Sequence, residues 1–110
     1  MPKAYVPNAG DIVWLNFIPY AGHEQAGHRP ALVLSPAAYN DKTSLMLCCP
    51  VTNQIKGYPV EVQIAETAPS VVLADQVKSV DWRSRRATHK GKASMSELSE
   101  VRAKILALIG

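Results

Sequence analysis

Short apolar runs separated by turn residues recur along the chain, and this pattern predicts a protein built mainly of β-strands. The first run, Asp11–Phe17, follows Gly10 and is rich in β-branched and aromatic residues. Residues 31–35 form an apolar run between two prolines, and residues 60–64 alternate strictly, which indicates a strand with one face in water. Further strands are expected at residues 45–51, 71–74, 76–82 and 87–92.

Only the C-terminal segment shows a clear helical pattern. Ser94 and Glu97 have the spacing of a capping box, in which a hydroxyl and a carboxylate satisfy backbone donors at the start of a helix. Apolar residues then recur at helical intervals, at Leu98, Val101, Ile105 and Leu108, with a second apolar edge at Leu106 and Ile109. Several short strands and one terminal helix predict a mainly β fold, a small and partly open β-barrel with a C-terminal α-helix.

The run at residues 45–51 lacks alternation, which predicts a strand buried on both faces. It contains the two cysteines of the chain, Cys48 and Cys49. Because neighbours on a strand point to opposite faces, these thiols are poorly placed to bridge each other or to bind one metal ion. Zinc needs about four ligands in a tetrahedral arrangement, and the three histidines do not complete such a set, so we predict no metal site.

Length and composition indicate one globular domain over residues 1–110, since 47% of the residues are hydrophobic and 19% are charged. No apolar run approaches the roughly 18 residues of a membrane span, and residues 1–10 lack the apolar core of a secretory signal. We therefore expect a cytoplasmic protein without membrane attachment. The net charge is +3, and residues 78–92 hold six lysines and arginines opposed only by Asp81. Charge alone is consistent with a solvated basic face or with a surface that binds polyanions.

Candidate chemistry is concentrated in the segment 22–30, which lies between two predicted strands. Its nine residues include one carboxylate, one amide, two imidazoles and one guanidinium, together with two glycines. Most polar hairpin loops are only solvated, but loops that concentrate proton-transfer and phosphate-binding groups are frequent functional sites. Two further polar segments, 50–59 and 73–85, flank buried runs and are also interpretable as ordinary turns.

Three motifs in these segments carry a specific resemblance. They are Gly-x-Glu-Gln-x-Gly-x-Arg-Pro at 22–30, Pro-x-Thr at 50–52 and Asp-Gln-Val-Lys-Ser at 75–79. In this order and spacing they resemble the MazF/PemK family, the toxin endoribonucleases (mRNA interferases) of bacterial toxin–antitoxin systems. The resemblance extends over essentially the whole chain, from Val6 to the closing helix.

The resemblance implies an SH3-like, CcdB-type barrel that forms a homodimer and binds single-stranded RNA in a surface groove. It also implies sequence-specific, cofactor-free and metal-independent cleavage by the 2′-hydroxyl of the RNA, leaving a 2′,3′-cyclic phosphate and a 5′-hydroxyl. Such cleavage of mRNA inhibits translation, and ACA-containing sites are plausible targets. The expected protein partner is an antitoxin whose acidic, disordered tail occupies the RNA site.

The resemblance marks Arg29 and Thr52 as catalytic and Glu24 as a residue that matters for activity. Arg29 is suited to holding phosphate oxygens, and Thr52 can donate one hydrogen bond to the same phosphate. A guanidinium is a poor proton acceptor, so Glu24 is the more natural base, although a nearby Arg29 would lower its pKa. His28 can serve as a general acid or as a contact residue. The residues expected to bind RNA are Gln25, His28, Asn53, Gln54, Lys56, Gln76, Lys78 and Arg85.

Two other functions remain compatible with a barrel of this size. One is a CcdB-like toxin that binds DNA gyrase through the end of its C-terminal helix. The other is an RNA-binding barrel without turnover. The presence of both the 22–30 segment and Thr52 favours the nuclease over the gyrase-binding toxin.

Overall fold

The chain folds into antiparallel strands with one short and one long helix, in a computed structural model that describes residues 4–17, 27–66 and 69–110. In chain order the elements are β1 (Asp11–Phe17), β2 (Gly27–Val33), α1 (Ala37–Thr43), β3 (Leu45–Thr52), β4 (Glu61–Gln63), β5 (Val71–Leu73), β6 (Lys78–Asp81), β7 (Thr88–Lys92) and α2 (Met95–Ile109).

The strands form one antiparallel sheet in the order β4-β5-β3-β2-β1-β7, with β6 added beside β3. The first half of β3 pairs with β6, and its last two residues pair with β5. A register shift between Ile12 and Val13, where β1 meets β7, marks a bulge of the kind that bends a strand. Among the described strands no ladder joins β4 to β7, so the sheet stays open. The prediction of a mainly β, partly open fold with a C-terminal helix is confirmed.

Side chains from the two faces of the sheet form two separate apolar clusters. Cys49 packs with Ile12 and Val101 in the cluster beneath α2, whereas Cys48 packs with Met46 and others on the opposite face. The two thiols are free and buried on different sides of β3, as the alternation of strand side chains requires.

The prediction that residues 45–51 are buried on both faces is wrong for the first half of β3. Leu45 and Leu47 are 37% and 42% exposed, whereas Cys49 and Val51 are buried. The physical reason is that the cluster beneath α2 includes Cys49 and Val51 but does not extend to the beginning of the strand.

Helix α1 was not predicted from the sequence, where only the C-terminal segment had a clear helical pattern. It has seven residues, begins after Pro36 without a side-chain cap and ends at Ser44, which adopts φ 64°. Tertiary hydrogen bonds stabilise it instead, because the amide of the buried Asn40 donates to the carbonyls of Pro7 and Ser35. The carbonyl of Asn40 also accepts from the indole N–H of Trp82 at 2.8 Å. Such contacts leave no local signature in the sequence.

Helix α2 begins at the predicted capping box. The Glu97 N–H donates to Ser94 Oγ at 3.1 Å, and the Ser94 N–H donates to the Glu97 carboxylate at 2.8 Å. Burial acts to raise the pKa of Glu97, but hydrogen bonds from Ser94 and from the Ala65 N–H outweigh it and lower the pKa. The stabilisation that this carboxylate provides is therefore present above its unfolded pKa and is lost as the pH falls through the lowered value. Neither described helix is long and apolar enough to cross a lipid bilayer.

Replacing Ser94 by Ala removes the cap, and we expect it to lower the free energy of unfolding by about 1 kcal/mol. Chemical denaturation of the two proteins measures the difference. The matched control is Ser99→Ala, because Ser99 is an exposed serine in the same helix and Ala has the higher helix propensity. Equal destabilisation by both substitutions would contradict the capping role.

Candidate functional site

Arg29 lies on a strand, whereas the sequence placed it at the end of a loop. Residues 27–30 of the 22–30 segment belong to β2, and Arg29 is paired with Leu15 of β1. A position inside an antiparallel ladder fixes the direction in which the Arg29 side chain leaves the backbone. The strand therefore fixes the face of the sheet from which the Arg29 side chain projects.

Thr52 is the last residue of β3 and is paired with Val71 of β5. Its hydroxyl oxygen accepts a hydrogen bond from the Gln54 N–H at 3.1 Å. A hydroxyl that accepts through its oxygen still has its own proton to donate. The turn after β3 therefore holds the Thr52 hydroxyl in an orientation from which it can donate to a ligand.

Arg29 and Thr52 lie on the same face of the sheet. The β2–β3 ladder pairs Ala31 with Pro50, and continuing this register by two residues sets position 29 opposite position 52. Both residues line one cleft of about 400 Å³, as do Gln76 and Lys78. Its floor consists mostly of apolar residues: Leu15, Ala31, Cys48, Pro50 and Val80. The cleft therefore combines an apolar base with two cations, a hydroxyl and an amide.

A smaller cavity of about 180 Å³ adjoins this cleft. The two share Thr52, Leu73 and Gln76, so they lie side by side, and we call them together the groove. The smaller cavity adds Gln54 and Lys56 from the segment after β3. Six of the predicted site residues thus line the groove: Arg29, Thr52, Gln54, Lys56, Gln76 and Lys78.

The remaining predicted site residues are placed differently. His28 follows the alternation of β2 away from the cleft, and its ring lies 6.1 Å from that of Trp14. Asn53 is exposed and lines neither cavity. Arg85 donates to the carbonyl of Asn16 at 3.4 Å. The roles of these three residues in RNA binding stay predictions.

Two predicted residues, Glu24 and Gln25, lie outside the described residues.

The thiol of Cys48 forms part of the cleft floor and is only 1% exposed. Burial raises its pKa to about 11, although the positive charges of Lys78 and Arg85 act to lower it. Burial also raises the pKa of Cys49 to about 12. Both thiols are neutral at physiological pH and are therefore poor nucleophiles.

Within residues 4–17, 27–66 and 69–110, no three His, Cys, Asp or Glu side chains are grouped so that they could hold a metal ion. The polar groups that meet in the cleft are cationic or neutral, a set suited to an anionic ligand such as a phosphodiester.

Sequence reasoning missed five residues of the smaller cavity, the apolar Val60 and Leu73 and the polar Tyr58, Glu61 and Asp75. Tyr58 stands in a Gly-Tyr-Pro stretch that reads as an ordinary turn. Asp75 is part of the third motif, but its acidity suggested only that it balances nearby lysines and arginines. The three polar residues come together because the segment between β3 and β4 lies beside the turn between β5 and β6, and the sequence does not show this proximity.

Comparisons with known proteins identify the family of the chain. The family model for PemK-like, MazF-like toxins of type II toxin–antitoxin systems matches residues 8–109. The endoribonuclease toxin MazF of Escherichia coli K12 is 54% identical over 111 residues, with all of both chains covered. The endoribonuclease toxin ChpB of the same organism is 36% identical, with 91% of each chain covered.

Solved structures show the same similarity. A chain in the MazE–MazF crystal structure (form II) from Deinococcus radiodurans superposes with a TM-score of 0.92 at 58% sequence identity, covering 97% of this chain and 98% of that one. An endoribonuclease from a mycobacterial species, in complex with its cognate antitoxin, gives a TM-score of 0.74 at 18% identity, which bears on the fold alone.

Chemical labelling of the two cysteines tests whether the floor of the cleft is buried. We expect native protein at pH 7.5 to react negligibly with iodoacetamide, because both thiols are buried and neutral, and to label at both positions in guanidinium chloride. Mass spectrometry of the two samples measures the labelling. Rapid labelling of Cys48 in the native protein would contradict this description of the cleft.

Proposed function

The chain belongs to the PemK-like, MazF-like toxins of type II toxin–antitoxin systems, and we propose that it cleaves single-stranded RNA in the cleft between Arg29 and Thr52. It is an endoribonuclease toxin, as are its full-length relatives. The observation that carries the assignment of the site is the presence of a guanidinium, a hydroxyl and a lysine along one cleft. This makes a gyrase-binding toxin or a non-catalytic barrel the weaker interpretation.

In the proposed reaction the RNA supplies its own nucleophile. The 2′-oxygen forms a bond to the adjacent phosphorus while the bond from phosphorus to the 5′-oxygen breaks. A proton leaves the 2′-hydroxyl for a base, and another proton reaches the departing 5′-oxygen. The products are a 2′,3′-cyclic phosphate and a 5′-hydroxyl. This route needs no protein nucleophile, in keeping with the neutral thiol at the cleft floor.

Arg29 and Thr52 stabilise the charge that develops on the phosphate oxygens. The planar guanidinium of Arg29 can hold two of these oxygens, and it remains positively charged throughout. Thr52 donates a hydrogen bond from its hydroxyl to the same phosphate. The hydrogen bond that its oxygen accepts from the Gln54 N–H orients the hydroxyl and leaves its proton available for this contact. Donors fixed in this way before the substrate arrives contribute most to the transition state.

Glu24 is our candidate for the base that accepts the 2′-proton, since a carboxylate accepts protons far better than a guanidinium. His28 is kept as a contact residue. Its ring lies beside Trp14 rather than in the cleft that Arg29 lines, which makes it a poor candidate for protonating the same 5′-oxygen.

The groove supplies contacts for the rest of the RNA strand. Lys56 and Lys78 are suited to the phosphates on either side of the cleavage point, and Arg85 adds a third cation. Amide side chains can read base edges through paired donors and acceptors. We assign this role to Gln25, Asn53, Gln54 and Gln76.

The same cationic groove explains inhibition by an antitoxin. An acidic, disordered tail that lies along Arg29 and Lys78 in the cleft occupies the RNA site and blocks access to it. We further propose that the toxin acts as a homodimer in the cytoplasm, where its mRNA substrates are found.

Arg29→Ala should lower kcat by about 10²- to 10³-fold and change RNA affinity much less, because Arg29 acts mainly on the transition state. Single-turnover cleavage of a short RNA and its equilibrium binding measure the two effects. Lys42→Ala, which removes an exposed cation on α1 outside the groove, is the control and should leave both values unchanged. A variant that loses affinity alone would contradict the catalytic role.

A substrate with a 2′-deoxynucleotide at the cleavage point should bind but remain uncut, since the nucleophile is missing. Cleavage of the all-ribose substrate should proceed at the same rate in excess EDTA, because Arg29 provides the positive charge at the phosphate. Product analysis on denaturing gels tests both expectations. Cutting of the deoxy substrate, or loss of activity on chelation, would each overturn the proposed chemistry.

A further inference from the structure

The smaller cavity beside Thr52 contains an exposed aromatic ring that the proposed reaction does not use. Tyr58 lines this cavity and is 58% exposed. We propose that the cavity is a nucleobase subsite, in which the ring of Tyr58 stacks on the base of a nucleotide next to the scissile phosphate. This inference rests on the proposed function and names a specificity-determining residue for it.

The dimensions and lining of the cavity fit one unpaired base. Its volume of about 180 Å³ is large enough for one nucleobase. Val60 and Leu73 contribute partly buried apolar surface. Because Thr52 lines both this cavity and the cleft, a base bound here belongs to a nucleotide adjacent to the phosphate at Thr52. Stacking on aromatic side chains is the usual way in which proteins hold unpaired bases.

The loop that carries Tyr58 is held in place by one carboxylate. Glu61 accepts hydrogen bonds from the N–H groups of Lys56 and Gly57, each at 3.0 Å. Its own N–H donates to the carbonyl of Tyr58 at 3.1 Å. Gly57 has φ +81°, a conformation that favours glycine, and an added Cβ would have no neighbour within 4 Å. The backbone conformation therefore requires this glycine, and Glu61 acts as a positioning residue for Tyr58.

The polar groups at the rim predict which bases the subsite prefers. Asp75 is a hydrogen-bond acceptor when ionised, and Gln54 and Gln76 each offer an acceptor oxygen. A carboxylate accepts from an exocyclic amino group, which adenine, cytosine and guanine have and uracil lacks, whereas the amides of Gln54 and Gln76 can also donate to a base carbonyl. Asp75 is therefore expected to favour a base with an exocyclic amino group over uracil.

The charged side chains around the smaller cavity favour a nucleobase over the acidic tail of an antitoxin as its occupant. The cavity has two carboxylates, Glu61 and Asp75, against the single cation Lys56. An acidic side chain placed between them would be repelled, whereas a neutral base is not. An acidic peptide is directed toward the neighbouring cleft with Arg29 and Lys78.

The test couples a change in the protein to a change in the RNA. The probe is a short RNA with one cleavage site, made uncleavable by a 2′-deoxynucleotide. A series of further probes is made from it, and in each of them one flanking base is replaced by an abasic site. Tyr58→Leu should weaken binding of the intact probe on the order of tenfold, whereas Tyr58→Phe, which keeps the aromatic ring, should retain most of the affinity. Tyr39→Leu, at a partly exposed tyrosine on α1, is the matched control and should bind like the original protein.

At one flanking position the abasic probe should bind equally to the original protein and to Tyr58→Leu, because the lost base and the lost ring remove the same contact. If Tyr58→Leu weakened binding of every abasic probe as much as it weakens binding of the intact probe, the inference would be overturned. A Tyr58→Leu variant that loses affinity for a synthetic acidic peptide but not for RNA would also overturn it. Because binding is measured on uncleavable RNA, failure of the subsite is distinguished from failure of the proposed function, which shows as absence of cleavage of the all-ribose RNA by the unmodified protein.

Glu61→Gln tests the positioning role separately. We expect a raised KM and an unchanged kcat on the all-ribose RNA, because the substitution loosens the loop without touching the phosphate site. In the combined variant Glu61→Gln, Tyr58→Leu the second change should add little. A lower kcat with an unchanged KM, or full additivity of the two changes, would contradict the positioning role.

Discussion

The antiparallel ladder between β2 and β3 is the constraint on which the site depends. Side chains on a strand alternate between faces, and the pairing of Ala31 with Pro50 fixes which of them share a face. Positions 29 and 52 are each displaced by two residues from that pair, so both return to the cleft face. A one-residue slip of either strand would turn one of the two side chains to the cluster beneath α2.

The same alternation separates the chemistry from the apolar cluster beneath α2. One face of β3 contributes Cys49 and Val51 to the cluster packed against α2, and the other contributes Cys48 to the cleft floor. An apolar, water-poor floor strengthens the attraction between the groove cations and a phosphodiester. It also keeps the nearest thiol neutral and therefore a poor nucleophile. Burial and catalysis are thus linked through a single strand.

Much of this could be predicted from the sequence. The alternating run at β4, the capping box of α2 and the opposite orientation of the two thiols all follow from local periodicity, which the fold preserves. Helix α1 could not be predicted, because the buried amide of Asn40 anchors it to the carbonyl of Pro7, which is 33 residues away in the sequence. For the site, motif similarity pointed to Arg29 and Thr52. That the two residues line one cleft depends on the register of the β2–β3 ladder, which the motifs do not show. Tyr58 and Glu61 were missed because their significance comes from a turn folded beside Thr52, not from their neighbours in the chain.

A double-mutant cycle on the cleavage step tests most directly whether Arg29 and Thr52 act on one phosphate. Single-turnover rates would be measured for Arg29→Ala, Thr52→Val and the combined variant on the same short RNA. Two donors to the same developing charge should be coupled, so Thr52→Val should slow the Arg29→Ala enzyme much less than it slows the original one. Fully multiplicative losses would mean that the two side chains act independently, and the shared site would have to be abandoned.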